Sequence, residues 1–105
     1  MKLIEYVAPL GFDGRRRVRH TRSKGKVSEF MVQYEIFVRD KWHPVVRYDT
    51  SHGYAHKNLM HADGRKEKTS LLFTDLNICL TYAENDLRAN WKFYRERFLK
   101  EAGTL

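Results

Sequence analysis

The chain has 105 residues, 42% of them hydrophobic, and a formal net charge of +7 at pH 7. This length is typical of one domain with its own core, and the single cysteine, Cys79, excludes an intramolecular disulfide and favours a reducing compartment. The sequence contains no run of about 18 uncharged apolar residues that would predict a membrane span, and its N-terminus lacks the apolar run of a signal peptide. We therefore expect one cytoplasmic domain over residues 1–105.

The first predicted strand, residues 2–8, is followed by a basic segment, residues 11–26. The segment carries seven basic residues against one acidic residue, and so about +6 of the net charge: Arg15, Arg16, Arg17, Arg19, Arg22, Lys24 and Lys26. Its charge and three glycines indicate a mobile loop or a twisted hairpin around Gly25. Arginine clusters attract nucleic acid through counterion release. The segment therefore predicts contact with nucleic acid, RNA rather than DNA, although a solvated loop or an acidic protein partner would also fit.

The clearest strand is predicted over residues 28–39, where apolar and polar residues alternate. One face would carry Val32, Tyr34, Ile36 and Val38, and the other Gln33, Glu35 and Arg39. After a turn at Asp40-Lys41, residues 42–48 form the returning strand, in which Pro44 favours an edge or a bulge. Such a sheet would be buried on one face and wet on the other.

The remaining elements complete a strand meander and then a helix. Asp49–Gly53 reads as a turn, and an Asp63-Gly64 turn joins predicted strands over residues 54–61 and 66–72. From residue 75 to 101 the apolar residues recur at helical spacing, with a break near residues 84–86 left open: Leu76, Leu80, Ala83, Leu87, Trp91, Tyr94 and Phe98. We expect an α+β fold in which a long C-terminal amphipathic helix covers one face of an antiparallel meander of about four to five strands.

Residues 47–57, the central motif, mix groups that a packed core does not need: Arg47, Tyr48, Asp49, His52, Tyr54, His56 and Lys57. On a straight strand His52 and His56 would lie about 13 Å apart, which is too far for two ligands of one zinc ion. We therefore expect no metal site and no other cofactor.

Acid–base chemistry fits the central motif better. Histidine titrates near neutrality, and a carboxylate can hold its ring in one tautomer. The residues would suffice for metal-independent RNA cleavage by 2′-OH attack, with a catalytic group of Arg47, Asp49, His52 and His56. Tyr48 and Tyr54 would stack bases, and Lys57 would contact phosphate. The alternative is a turn capped by Asp49 and Ser51, with histidines on a wet sheet face.

The run Arg47-Tyr48-Asp49-Thr50-Ser51-His52-Gly53-Tyr54-Ala55-His56 resembles the Arg-Tyr-Asp-x-x-His-x-x-x-His signature of small TumE-like toxin proteins. It also resembles a related family of uncharacterised bacterial and archaeal proteins with an Arg-Tyr-Asp…His-Gly…His core and a following Asp-Gly turn. The resemblance covers about residues 28–70. It implies a toxin-like domain that acts on RNA and has an antitoxin-like protein partner, with Arg47, Tyr48, Asp49, His52 and His56 as the positions that carry over. Here the histidine-rich tail is thinned to His61, and the basic segment is extra.

Two hypotheses of different class follow. In the first, a small toxin-like protein binds RNA through the basic segment and cleaves it at the central motif. In the second, a non-catalytic module binds nucleic acid or an acidic protein. A homodimer is compatible with both.

Overall fold

The computed structural model describes residues 1–103, apart from the side chain of His52. Six strands precede one α-helix: β1 (Lys2–Pro9), β2 (Gly14–Ser23), β3 (Lys26–Val38), β4 (Lys41–Asp49), β5 (His56–Met60), β6 (Lys66–Ser70) and α1 (Leu76–Glu101). A short 3-10 helix, Ser51–Gly53, lies between β4 and β5. The α+β class is confirmed, with one antiparallel sheet and a C-terminal helix packed on it. The sheet has six strands rather than four to five, and the additional one, β2, comes from the basic segment.

The strands lie in the sheet in the same order as in the chain, and every neighbouring pair is antiparallel. The register between β3 and β4 shifts at Tyr34 and Glu35, which pair with Val46 and Pro44 respectively. Pro44 therefore lies beside a bulge, where the missing N–H of proline is tolerated.

The basic segment forms the hairpin, the second of the two structures that its composition left open. Its ten-residue strand β2 is hydrogen-bonded to β1 on one side and to β3 on the other. Two of its glycines allow close packing: a Cβ on Gly14 would lie 2.4 Å from the carbonyl oxygen of Leu10, and one on Gly11 would lie 2.7 Å from the ring of Trp91. These glycines therefore permit close approach rather than motion.

The helix α1 is continuous over 26 residues, about 39 Å at 1.5 Å per residue, and nearly matches the longest dimension of the molecule, 45 Å. The side chain of Asp75 caps its start by accepting a hydrogen bond from the Asn77 amide at 2.8 Å. The break considered near residues 84–86 does not occur. No helix within residues 1–103 is long and apolar enough to span a membrane.

The helix packs mainly across β3 and β4. Buried side chains on the inner face of the sheet meet the apolar stripe of the helix, and together they include Val18, Val32, Tyr34, Ile36, Val46, Tyr48, Cys79, Leu80, Ala83, Leu87, Tyr94 and Phe98. Trp91 meets Tyr34 edge-on, with ring centroids 6.5 Å apart. Burial raises the pKa of the Cys79 thiol, so this cysteine is a small apolar core residue.

The turn between β3 and β4 predicts a stabilising substitution. Arg39 and Asp40 both have positive φ, 54° and 65°, which is the backbone of a type I′ turn that glycine prefers at its second position. Replacing Asp40 with glycine should raise the free energy of unfolding by roughly 0.5–1 kcal/mol, measured by urea denaturation. The adjacent Lys41→Gly is the control, because Lys41 begins β4 without a positive φ. The stability of Lys41→Gly should fall. If the stability of Asp40→Gly also falls, the positive φ of Asp40 does not destabilise the turn.

His61 joins the end of β5 to both β6 and the helix. Its Nε2 lies 2.7 Å from Glu67 and its Nδ1 lies 3.0 Å from Glu101. Hydrogen bonds to Glu67 and Glu101 raise the pKa of His61 above its ordinary value. This interaction therefore stabilises the fold fully below the unfolded pKa of about 6.5, and the stabilisation disappears as pH rises through the raised folded pKa.

The measurement is amide exchange at Ala62, whose N–H donates to Glu101 at 3.1 Å. Once the ordinary base catalysis of exchange is divided out, protection at Ala62 should fall as pH rises above about 6.5 and through the raised folded pKa of His61. In His61→Gln this pH dependence should disappear. The same pH dependence in His61→Gln would show that another group controls this corner.

Candidate nucleic-acid interface

Strand alternation divides the sheet residues between two faces. We call the side of the sheet away from α1 the open face. Its side chains from β2 to β5 include Arg15, Arg17, Arg19, Met31, Gln33, Glu35, Arg47, Asp49, His56 and Asn58. The basic segment and the central motif, separate in the sequence, therefore share one surface.

Asp49 is the anchor of the central motif on this face. Its side chain is almost completely buried, and it accepts hydrogen bonds from Arg47 Nε and from Ser51 Oγ at 3.0 Å, while its Oδ1 lies 2.7 Å from His56 Nε2. Burial acts to raise the pKa of Asp49, but the hydrogen bonds from Arg47 and Ser51 outweigh it, so this pKa lies below its ordinary value. Asp49 is therefore a fixed negative charge beneath Arg47.

His56 supports Asp49 from below. Its ring is 1% exposed, and its Nδ1 lies 3.3 Å from the carbonyl oxygen of Tyr54. A general base needs a ring nitrogen within reach of its substrate, whereas both nitrogens of His56 contact oxygens of the protein itself. The geometry therefore makes His56 a positioning residue for Asp49. The predicted catalytic role of His52 concerns a side chain outside the described part of the structure.

From Arg47 the hydrogen bonds continue across the sheet to β2. Arg47 Nη1 donates to Gln33 Oε1 at 3.2 Å, and the Gln33 amide donates to Glu35. Glu35 accepts from Arg15 Nε at 2.6 Å and lies 3.7 Å from Arg17. One polar network thus runs across the sheet and fixes three arginines relative to one another.

The charges of this network, and of Arg19 next to it on β2, differ in their exposure. Glu35 and Asp49 are each 4% exposed, while the side chains of Arg17, Arg19 and Arg47 are 48%, 59% and 38% exposed. A ligand on the open face therefore meets the guanidinium groups of Arg17 and Arg47, whose carboxylate partners lie beneath them. It also meets Arg19, whose partner Glu5, 3.5 Å away, is itself exposed. Arginine forks of this kind match the geometry of phosphate.

A groove of about 280 Å³ lies at one end of the open face. Arg19 and Arg47 contribute to its lining, Met31 lies between their strands, and Thr50 and Ser51 add hydroxyl groups. Its lining also includes the exposed carboxylate of Glu29. Two arginines and two hydroxyls around a small groove suit an anionic group of a ligand.

Comparisons with known proteins place the chain in a family. A family model described as a domain of unknown function, DUF7718, matches residues 1–104. The chain belongs to this family. Searches of the curated proteins and of the solved structures found no match. Nothing in these comparisons links the DUF7718 chain to TumE-like toxins, and that resemblance stays a prediction.

Within the described part of the DUF7718 chain, no three His, Cys, Asp or Glu side chains form a group that could hold a metal ion. The Asp49–His56 pair has Arg47 and Ser51 as its other partners. Cationic and hydroxyl partners around a carboxylate suit an orienting network, which is the role that the geometry gives it.

Two residues predicted to contact nucleic acid lie on the other side of the sheet. Tyr48 and Lys57 pair across β4 and β5 and point towards α1. The Tyr48 hydroxyl donates to Asp86, and Lys57 Nζ lies 3.2 Å from Asp86 and 2.6 Å from the Tyr94 hydroxyl. Burial and the hydrogen bond to Asp86 raise the pKa of Tyr48 above its ordinary value. These side chains hold the helix, which corrects the expectation that they are available to a ligand.

The basic segment is divided in the same way. Arg16 and Arg22 lie on the helix side: the Arg16 guanidinium is 5.7 Å from the Tyr6 ring, and Arg22 pairs with the core residue Val27. Lys24 and Lys26 are exposed at the hairpin turn.

The predicted contact residues that reach the open face are therefore Arg15, Arg17 and Arg19 from β2. Tyr54 lies at its margin, 46% exposed, beside the His56 ring and under the Lys68 ammonium group.

The open face also contains residues that the sequence did not single out as a site. Gln33 and Glu35 were predicted only as the wet side of a strand, and Phe37 and Trp42 were not assigned any role. The alternation of residues 28–39 was the available signal for Gln33 and Glu35. Their partners Arg47 and Arg15 could not be assigned without the register that places them in neighbouring strands.

Proposed function

We propose that this DUF7718 protein binds RNA across the open face of its sheet. The observation that carries the proposal is the placement of Arg15, Arg17 and Arg19, which alternate along β2 on the face that also presents Arg47. Cations that neutralise phosphates release counterions, and this release drives binding that needs no particular base sequence.

The buried carboxylates strengthen this proposal rather than cancel it. Glu35 and Asp49 orient the arginines through side-chain hydrogen bonds, so less side-chain entropy is lost when phosphate binds. Both carboxylates remain shielded from the ligand. The exposed carboxylates near these aligned cations are Glu5, beside Arg19, and Glu29, in the lining of the groove.

RNA is preferred to DNA in this proposal because neutral polar groups accompany the arginines. Asn58 pairs with Arg47 in the neighbouring strand, and Thr50 and Ser51 line the groove. Amide and hydroxyl groups can exchange hydrogen bonds with the ribose 2′-OH, which DNA lacks.

The placement of His56 does not support a role in RNA cleavage. An acid–base role needs access to the substrate, and the ring is 1% exposed with both nitrogens against protein oxygens. We therefore propose binding as the function, and we keep toxin-like activity and an antitoxin-like partner as predictions that rest on the resemblance alone.

The test compares two double variants that remove the same charge from opposite faces of one strand. Arg17→Gln/Arg19→Gln removes two open-face cations, and Arg16→Gln/Arg22→Gln removes two on the helix side. Affinity for a fluorescent single-stranded RNA is measured by anisotropy at several salt concentrations. The open-face variant should bind more weakly, and its log–log salt slope should fall by roughly 0.7 for each phosphate that the protein no longer neutralises.

If both variants bind RNA equally weakly, binding depends on the net charge of the chain and not on the open face. If the open-face variant binds as tightly as the natural chain, the proposal is wrong. The same samples, run on a denaturing gel in EDTA, test cleavage directly. Products that appear with the natural chain and vanish in a folded His56→Gln variant would restore the catalytic hypothesis.

A further inference from the structure

The open face carries an aromatic pair at the end opposite the groove. Phe37 and Trp42 face each other across β3 and β4, with ring centroids 5.3 Å apart and ring planes inclined by 27°. They are 43% and 38% exposed. The two-residue turn at Arg39 and Asp40 follows directly, so the hairpin itself holds the two rings together.

An arginine completes this stack. The Arg15 guanidinium lies 3.9 Å from the Trp42 ring centroid, and Glu35 holds it there through a 2.6 Å hydrogen bond to its Nε. We call Phe37, Trp42 and Arg15 the aromatic platform. Its members are fixed by contacts with each other and with a buried carboxylate, yet they stay partly open to solvent.

The platform and the groove lie at the two ends of one path. Phe37 and Met31 are six residues apart on β3, which is about 20 Å at 3.3 Å per residue. Between them the open face presents Arg17 and Arg47. A stacking surface, a row of cations and an anion-sized groove thus follow one another along the sheet.

Resting on the proposed function, we infer that the open face takes single-stranded RNA, with a base stacked on the aromatic platform and the backbone led past Arg17 and Arg47 into the groove. Exposed aromatic rings and guanidinium planes stack unpaired bases of any sequence. In a duplex the bases are already stacked and paired, so the platform has no base to receive. The ligand class is therefore single-stranded rather than double-stranded RNA.

The exposed pair also has a plain structural use, because aromatic cross-strand pairs stabilise hairpins. The test therefore uses variants that keep an apolar contact but remove or restore the ring. Phe37→Leu and Trp42→Leu remove one ring each, Trp42→Tyr restores an aromatic ring, and Phe93→Leu, 65% exposed on the helix, is the matched control. Thermal unfolding is measured for each variant, so that affinities are compared among folded proteins.

The probes are a 12-nucleotide single-stranded RNA and the blunt duplex of the same sequence. For the single strand, Phe37→Leu and Trp42→Leu should lose roughly 5- to 150-fold in affinity, the range expected for one stacked base, with an unchanged salt slope. Trp42→Tyr should recover most of it, and Phe93→Leu should bind like the natural chain. Duplex binding should be weaker from the start and insensitive to the platform variants.

A spectroscopic readout separates stacking from an indirect effect. The chain has two tryptophans, so Trp91→Phe leaves Trp42 as the sole source of indole emission. Quenching of that emission by the single strand but not by the duplex supports stacking. If the platform variants keep full affinity while Arg17→Gln/Arg19→Gln loses it, or if duplex binds as well as single strand, the inference is overturned and RNA binding stands. If the natural chain binds neither probe, both fall.

Discussion

Replacing Asp86 with alanine is expected to lower the free energy of unfolding by about 3–5 kcal/mol, the range for removing one partner of a buried ion pair. Asp86 accepts hydrogen bonds from the Tyr48 and Tyr94 hydroxyls and pairs with Lys57 Nζ at 3.2 Å. The Asp86 and Lys57 side chains are only 11% and 20% exposed. Without the carboxylate, the hydroxyls of Tyr48 and Tyr94 lose their acceptor, and the mostly buried ammonium group of Lys57 loses its counterion.

Urea denaturation measures this effect, and two variants calibrate it. Asp63→Ala removes an exposed carboxylate paired with Arg65, and its stability should change by at most about 0.5 kcal/mol. Asp86→Leu combined with Lys57→Met replaces both charges with apolar groups and should recover the part of the loss that comes from the unpaired ammonium group. If Asp86→Ala is no less stable than Asp63→Ala, Asp86 does not hold the helix on the sheet.

Acid should produce a related loss in the natural chain. Burial acts to raise the pKa of Asp86, but hydrogen bonds from Tyr48 and Tyr94 and the charge of Lys57 outweigh it, so this pKa is lowered. A lowered folded pKa stabilises the protein above the unfolded value, about 3.9, and that stability is lost as pH falls through the folded pKa. The stability of Asp86→Ala should therefore depend less on pH below about 4.

Asp49→Asn is expected to weaken RNA binding even though it makes the chain more positive by one charge. The carboxylate holds Arg47 towards the open face, whereas the amide that replaces it presents donors as well as an acceptor. Arg47 would then have to be ordered by the ligand, which costs roughly 2- to 12-fold in affinity at 0.5–1.5 kcal/mol per side chain. Stability should fall by about 1.5–3 kcal/mol, the range for hydrogen bonds to a charged group.

The matched control is Glu29→Gln, which makes the same change of charge at an exposed carboxylate in the lining of the groove. It should bind RNA as tightly as the natural chain or more tightly, since it removes repulsion and leaves Arg47 in place. Anisotropy titrations at one salt concentration compare the two variants. If Asp49→Asn gains affinity to the same degree as Glu29→Gln, Asp49 acts only as a charge and does not position Arg47.

Local pattern was enough to predict most of the fold. The alternation of Val32, Tyr34 and Ile36 with Gln33 and Glu35 correctly indicated the inner and outer faces of β3. The helical stripe likewise placed the apolar residues of α1 on the sheet. Both signals arise because each buried residue repeats at the period of its own element.

The missing strand shows where pattern fails. In β2 the helix side carries Arg16 beside Val18, so arginines occupy both faces and conceal the period of two. Arg16 is tolerated inside because its guanidinium meets the ring of Tyr6 in β1. That interaction depends on the neighbouring strand β1. The composition of the basic segment therefore indicated its charge but did not predict a strand.

The candidate site was predicted in part for a similar reason. Alternation from Arg47 and Asp49 would have placed Tyr48 on the opposite face, but its aromatic ring suggested base stacking instead. The true partner of that hydroxyl, Asp86, lies 38 residues further along the chain. Only the packing of the helix on the sheet brings the two together.

The order of the elements also has a consequence for synthesis. Each strand pairs with its neighbours in the chain, and the helix that covers the inner face follows all six. Hairpins form in about 1–10 μs, whereas the 26 residues of α1 take about 1–5 s to translate at 5–20 residues per second. A nascent sheet therefore exposes Val32, Tyr34 and Ile36 for seconds before its cover exists, and exposed apolar surface of this kind favours aggregation during synthesis.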